Sequence, residues 1–161
     1  MPSPTTSESA KDMTPITFFV PGTPKAQPRP RAFARKFGAK FSARVYDPGT
    51  AEGWKSAIAV AARPFLPAEP LKGPLRVDIT FYFPRPKYHF RSNGELKPTA
   101  PEWHTGRPDR DNCEKSSADA LTQLGMWEDD GQVCSGTIEK RYSFQSGAEI
   151  RIEAINTQAE P

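Results

Sequence analysis

Asp109, Asp111, Lys115 and Asp130 are the residues best placed to do chemistry, and all four fall in one stretch, RPDRDNCEKSSADALTQLGMWEDDGQV, from Arg107 to Val133. Between Asp109 and Asp130 stand seven carboxylates and two basic side chains, in a protein whose net charge is +3. A helix does not need that much acid to fold; a cation site does. If residues 107–111 are extended, the carboxylates of Asp109 and Asp111 point one way and Arg110 the other. Paired oxygen donors ahead of a helix seat Mg²⁺ or Mn²⁺. Lys115 follows Asp111 by four residues, so the helical repeat returns it toward the same end, where an ammonium can meet a phosphate oxygen or developing negative charge. Asp129 and Asp130 are neighbours, so an extended segment turns only one of them to the site. A helix over Asn112–Leu124 is about 20 Å long, and residues 126–130 retrace at most about 17 Å. A shorter helix, a tilted return or a second subunit would close that gap.

Three carboxylates and a lysine equip a metal-dependent phosphodiesterase, in which one or two metals polarise the phosphate, generate hydroxide and neutralise the leaving oxygen. The same residues have a plainer reading. Asp111 can cap the helix with Glu114 completing a capping box, and Lys115 can pair at the surface with Asp111 or Asp119. That reading leaves Asp109 and the EDD at 128–130 without a role. Serine or cysteine nucleophiles are less suited: there is no G-x-S-x-G, and His89 and His104 read as ordinary loop residues. Cys113 and Cys134 fit no zinc spacing and are expected as free buried thiols. No organic cofactor is expected.

The opposite charge is concentrated upstream. From Val20 to Tyr46 there are seven Lys or Arg residues and no acid, with Phe33, Phe37, Phe41 and Tyr46 interleaved. Glycine and proline interrupt this segment, so it reads as an arm or loop rather than a long helix. It suits a nucleic-acid backbone, with Arg29, Arg31, Arg35 and Lys36 as the contacting residues; a solvated loop is the alternative. Metal ions between carboxylates and phosphate would reconcile an acidic cluster with a basic arm.

These groups need a scaffold. Pro15–Val20 is a strand candidate, and a helix is expected from an N-cap at Thr50 to about Arg63, with Trp54, Ile58 and Ala61 or Ala62 on one face. Pro74–Phe83 alternates cleanly, with Leu75, Val77, Ile79, Phe81 and Phe83 on one side. Residues 84–108 read as a long loop, either functional or disordered, whose Arg85, Lys87, Arg91 and Lys97 extend the basic surface. The second helix buries Cys113, Ser117, Ala120, Leu121 and Leu124 and stops at Gly125. Two strands follow, Ile138, Lys140, Tyr142 and Phe144 sharing a face of one and Ile150, Ile152 and Ala154 a face of the other, joined by a hairpin turn at 145–147. The order β-α-β-loop-α-β-β predicts an α+β fold, a mixed sheet with two helices packed on it. One domain is expected over residues 14–156, with disordered tails at 1–13 and 157–161. There is no apolar run of membrane length and no signal-peptide core, so a cytoplasmic protein without a membrane partner is expected.

The stretch from Arg107 to Val133 resembles the signature of RusA-type Holliday-junction resolvases: P-D-x-D-N-x-x-K, then D-A-L, then glycine and an aromatic before D-D-x-Q-V. VPGTPKAQPRPRAF is similar to the opening of phage and prophage members, and the resemblance extends over Pro15–Ile155. It implies that Asp109, Asp111 and Asp130 are metal-binding aspartates and Lys115 an essential lysine. It further implies a homodimer that makes paired, symmetric, Mg²⁺-dependent cuts in four-way DNA junctions during recombination and repair. A nuclease for flaps or forks, or an inactive junction-binding protein, are the alternatives. Cys113 stands where the family usually has leucine.

Overall fold

The computed structural model describes residues 14–27, 31–37, 40–46 and 51–156, with backbone alone over 31–46. The expected tails at 1–13 and 157–161, and the expected cap Thr50, lie outside the described residues. The fold is α+β, with a mixed sheet and two helices.

The strand with the cleanest alternation is the centre of the sheet. β4 (Leu75–Pro84) buries Leu75, Val77, Ile79, Phe81 and Phe83 on one face, the period-two pattern of a half-buried strand. On one side it pairs antiparallel with β7 (Gly147–Ala154), which in turn pairs with β1 (Ile16–Pro21). On the other side it pairs in parallel with the short β5 (Val133–Ser135) and with β6 (Ile138–Ser143). β6 and β7 therefore flank β4 rather than each other, and the expected hairpin at 145–147 is instead an arch over the carboxyl end of β4. Phe144 lies past the end of β6 on this arch, 79% exposed, instead of sharing the buried face. Gly147 closes the arch where a Cβ would stand 2.3 Å from the Val20 carbonyl oxygen.

The core between sheet and helices is made by Trp54, Ile58 and Ala62 of α1 (Glu52–Ala62), Cys113, Ala120 and Leu121 of α2 (Arg110–Leu124), and the inner faces of β1, β4 and β7. α1 begins at an Ala51 N-cap with no side-chain cap bond. α2 starts two residues before the expected Asn112 and ends where Gly125 takes φ 89°, a left-handed cap that glycine adopts without strain. Met126 folds back, its N–H donating to the Leu121 carbonyl.

Two expected loops have structure. The basic segment contains an antiparallel ribbon, β2 (Arg31–Phe37) on β3 (Lys40–Tyr46), in place of a plain arm. Residues 84–108 are ordered against β6: the Tyr142 N–H donates to the Glu102 carbonyl, and the His104 N–H to that of Lys140. Neither histidine is an ordinary loop residue, since His89 is 2% exposed and His104 stacks on Phe83 with centroids 3.9 Å apart. Among the described residues, no helix is long and apolar enough to cross a membrane.

Candidate active site

Asp109 is the N-cap of α2, in extended backbone, and its carbonyl accepts the first helical bond from the Cys113 N–H at 3.1 Å. Its carboxylate is not used as a cap. Asp111 is neither the cap nor part of an extended segment; it sits in the first helical turn, where the positive end of the helix dipole favours a carboxylate. Both are exposed, and neither makes a side-chain hydrogen bond or ion pair among the described residues. Both lie close enough to Cys113 to act on its thiol. Burial pushes that thiol up to about 11; Lys140 opposes the shift, and Asp109 and Asp111 reinforce it. A thiol held so high is protonated at neutral pH and unsuited to nucleophilic attack. Cys134, expected to be buried, is exposed.

Two groups outside the expected set shape this end of the helix. Lys140, on β6, donates from Nζ to the carbonyls of Gly106 at 2.6 Å and Pro108 at 2.7 Å. It thereby ties down the segment that delivers Asp109, including the cis Arg107–Pro108 peptide. Glu114, expected only as a capping partner, lines a cleft of about 250 Å³ with Val77, Ile138 and residues 133–136. The signal for Lys140 was its alternation with Ile138 and Tyr142, which marked an inward-facing lysine on a half-buried strand.

Lys115 reaches Asp119, Nζ to Oδ2 at 3.5 Å, with its side chain 60% exposed, so the ground state shows the surface pair. Asp130 opens a short 3₁₀ turn, Asp130–Gln132, and is exposed. Its neighbour Asp129 is committed elsewhere: Oδ1 accepts from the Gly131 N–H at 2.6 Å, and the Gln132 Oε1 accepts from the Asp129 N–H at 2.8 Å. Gln132 also donates to the carbonyls of Leu71 at 2.9 Å and Gly73 at 3.0 Å, which pins the turn to the chain entering β4. Of the two adjacent aspartates, Asp130 is the one left available.

Asp109, Asp111 and Asp130 do not meet: among the described residues, no three His, Cys, Asp or Glu side chains converge to hold a metal ion. The donor set nevertheless fits Mg²⁺, which takes oxygen ligands and is commonly held by one or two carboxylates together with substrate phosphates. Asp109 and Asp111, both exposed at the start of α2, are carboxylates of that kind.

The basic segment is rooted at the same place. The Gln27 N–H donates to the Asn112 carbonyl at 3.1 Å, and the Ser116 hydroxyl donates to the Lys25 carbonyl at 2.7 Å. The chain thus leaves the first turns of α2 a few residues before β2. Arg31, Arg35 and Lys36 belong to β2, and Arg29 lies outside the described residues.

Residues 21–153 match the family model of endodeoxyribonuclease RusA. The chain belongs to the RusA endodeoxyribonuclease family. It is also 33% identical over 149 residues to an uncharacterized protein of Bacillus subtilis (strain 168), YqaN, covering 88% of this chain and 97% of that one. The family match spans the carboxylates, Lys115, Lys140 and the ribbon.

Proposed function

We propose that this protein is a Holliday-junction resolvase, cutting phosphodiester bonds in pairs, symmetrically, in four-way DNA junctions during recombination and repair. The observation that carries the reading is the juxtaposition at the start of α2. Exposed carboxylates that the fold does not use sit beside the root of a basic ribbon, in a chain of an endodeoxyribonuclease family. Arg31, Arg35 and Lys36 of the ribbon, with Arg29 just before it in the sequence, hold the DNA backbone electrostatically. Asp109 and Asp111 would hold Mg²⁺, or Mn²⁺ in its place. When bound, that ion supplies charge neutralisation and an activated water.

Without the ion, the carboxylates would repel the phosphate that the ribbon attracts, so the residues themselves set up the metal requirement. Lys140 fixes the approach of Asp109. Lys115, exposed at the surface, exchanges its weak Asp119 pair for a phosphate oxygen. Asp130, left available by its turn, would complete the ligand set in the DNA complex. A homodimer would present two equivalent sites to two equivalent strands, acting in the cytoplasm.

A substrate panel tests this. A synthetic four-way junction, a flap, a fork and linear duplex are incubated with the protein and Mg²⁺. Paired nicks on the junction far in excess of the others support resolution; equal cutting of flaps and forks replaces it with a general branched-DNA nuclease.

A further inference from the structure

At the carboxyl end of β4, the fold exposes aromatic rings that lie against neighbouring rings. Tyr88 is 69% and Phe144 79% exposed. Neither ring is left on a loose loop. Tyr88 lies edge-on to the buried His89, with centroids 4.8 Å apart, and His89 lies edge-on to Tyr142 at 4.7 Å. Phe144, on the arch between β6 and β7, is braced by Phe90 at 6.1 Å. Residues 89–97 form a small tongue: the Lys97 N–H donates to the His89 carbonyl at 2.9 Å and the Arg91 N–H to that of Glu95 at 2.7 Å, with Gly94 turning at φ 87°. Arg85 ties the base of the loop to the Pro101 carbonyl at 2.8 Å.

Charge chooses the occupant. Residues 84–100 carry four Lys or Arg residues and one acid, Glu95. Lys87 and Arg91 are exposed beside the rings. A second copy docking through this rim about a two-fold axis would set these cations against themselves. A polyanion with flat apolar faces is complementary to both charge and rings, and nucleic acid is that partner. We propose that Tyr88 and Phe144 form a stacking platform for bases at a DNA branch point, where the helical stack is broken, with Lys87, Arg91 and Lys97 on neighbouring phosphates. Pre-ordered rings stack a base without the entropy cost of being fixed on binding. Phe144 follows Lys140 by four residues, past the end of β6 and at most about 13 Å of chain away, so the platform would engage the branch a few nucleotides from the phosphate being cut. The platform rests on the branched-DNA reading and adds to it the element that recognises the branch.

The test uses the full chain and its Tyr88→Ala, Phe144→Ala and Tyr88→Phe variants, with a four-way junction carrying 2-aminopurine at the branch point and a linear duplex of equal length. Each alanine variant is expected to bind the junction about 5- to 150-fold more weakly, the loss for one stacked base. Duplex binding is expected to stay unchanged and Tyr88→Phe to retain the wild-type affinity. The 2-aminopurine emission should change on wild-type binding and not on binding by the alanine variants. If the wild-type protein selects the junction and the alanine variants select it equally, the platform is wrong and the nuclease reading stands. Equal losses on junction and duplex, or a dimer that becomes monomeric in sedimentation while junction affinity is kept, would also overturn it. A wild-type protein with no preference for branched DNA removes both.

Discussion

Replacing Lys140 tests whether the delivery of Asp109 is built into the sheet. Lys140→Met keeps an unbranched apolar side chain and removes the ammonium, which lies 5.9 Å from the Phe83 ring centroid and holds the Gly106 and Pro108 carbonyls at 2.6 and 2.7 Å. A hydrogen bond to a charged group contributes roughly 1.5–3 kcal/mol. Water replaces the more exposed of the two, so the pair is worth about 2–3 kcal/mol of local order. A loss of that size raises the opening of residues 105–109 about 30- to 150-fold. The core residues of β4 and β7 are untouched, so global unfolding should move little. Displacing a catalytic group by about 1 Å costs on the order of 100-fold in rate, and single-turnover junction cleavage should fall by at least that much while junction binding holds. Two readouts separate positioning from general damage. Amides 104–109 should exchange faster. The His104 imidazole, held below its ordinary value by burial and then by Lys140, should titrate higher. Cleavage within about twofold of wild type, with those amides still protected, would refute the positioning role.

Other expectations follow from the same geometry. Lys115→Ala should change stability by less than about 0.5 kcal/mol in thermal melts, because its pair with Asp119 is exposed. It should still lose turnover, and wild-type rates would return Lys115 to a surface pair. Gly136→Ala should destabilise by at least about 2–3 kcal/mol in denaturant unfolding, since φ is 143° and a Cβ would lie 1.8 Å from the Val77 carbonyl oxygen; a neutral substitution would contradict that packing. His89 is held below its ordinary 6.5 by burial, then Arg85 and Lys97. The unfolded form therefore takes up the proton first, and the contribution of neutral His89 to stability is lost as pH falls from 6.5 toward the folded value. Amide exchange of residues 85–105 should accelerate from about pH 7 to about pH 5, and constant protection would refute it.

The strands and helices that rest on strong alternation were readable from the chain. Leu75 to Phe83, Trp54 with Ile58, and the Gly125 stop of α2 are local patterns that tertiary packing reinforced. What was hidden depended on pairing between distant segments. Nothing near residues 145–147 announces that β6 and β7 take opposite sides of β4, because a three-residue connection also suits a hairpin. The ordering of 84–108 comes from His89, His104 and Trp103 packing on β6, which a proline-rich composition conceals. At the site, the carboxylates were legible as residue types, but their geometry was not. Asp111 moved into the helix once Asp109 became its cap. Asp129 was absorbed by the Gln132 turn, and Lys140 entered from a strand some thirty residues downstream.

The central claim is that the carboxylates at the start of α2 cut a branched DNA that the rest of the protein holds. It is tested most directly by measuring binding and cleavage of a four-way junction by wild type and Asp109→Asn, with Mg²⁺, with Mn²⁺ and with neither. The account predicts metal-dependent paired nicks by wild type, none by the variant, and junction binding by the variant as tight or tighter, because a negative charge facing the phosphates has gone. Cleavage by Asp109→Asn at the wild-type rate, or tight junction binding by wild type with no cutting in either metal, would contradict it.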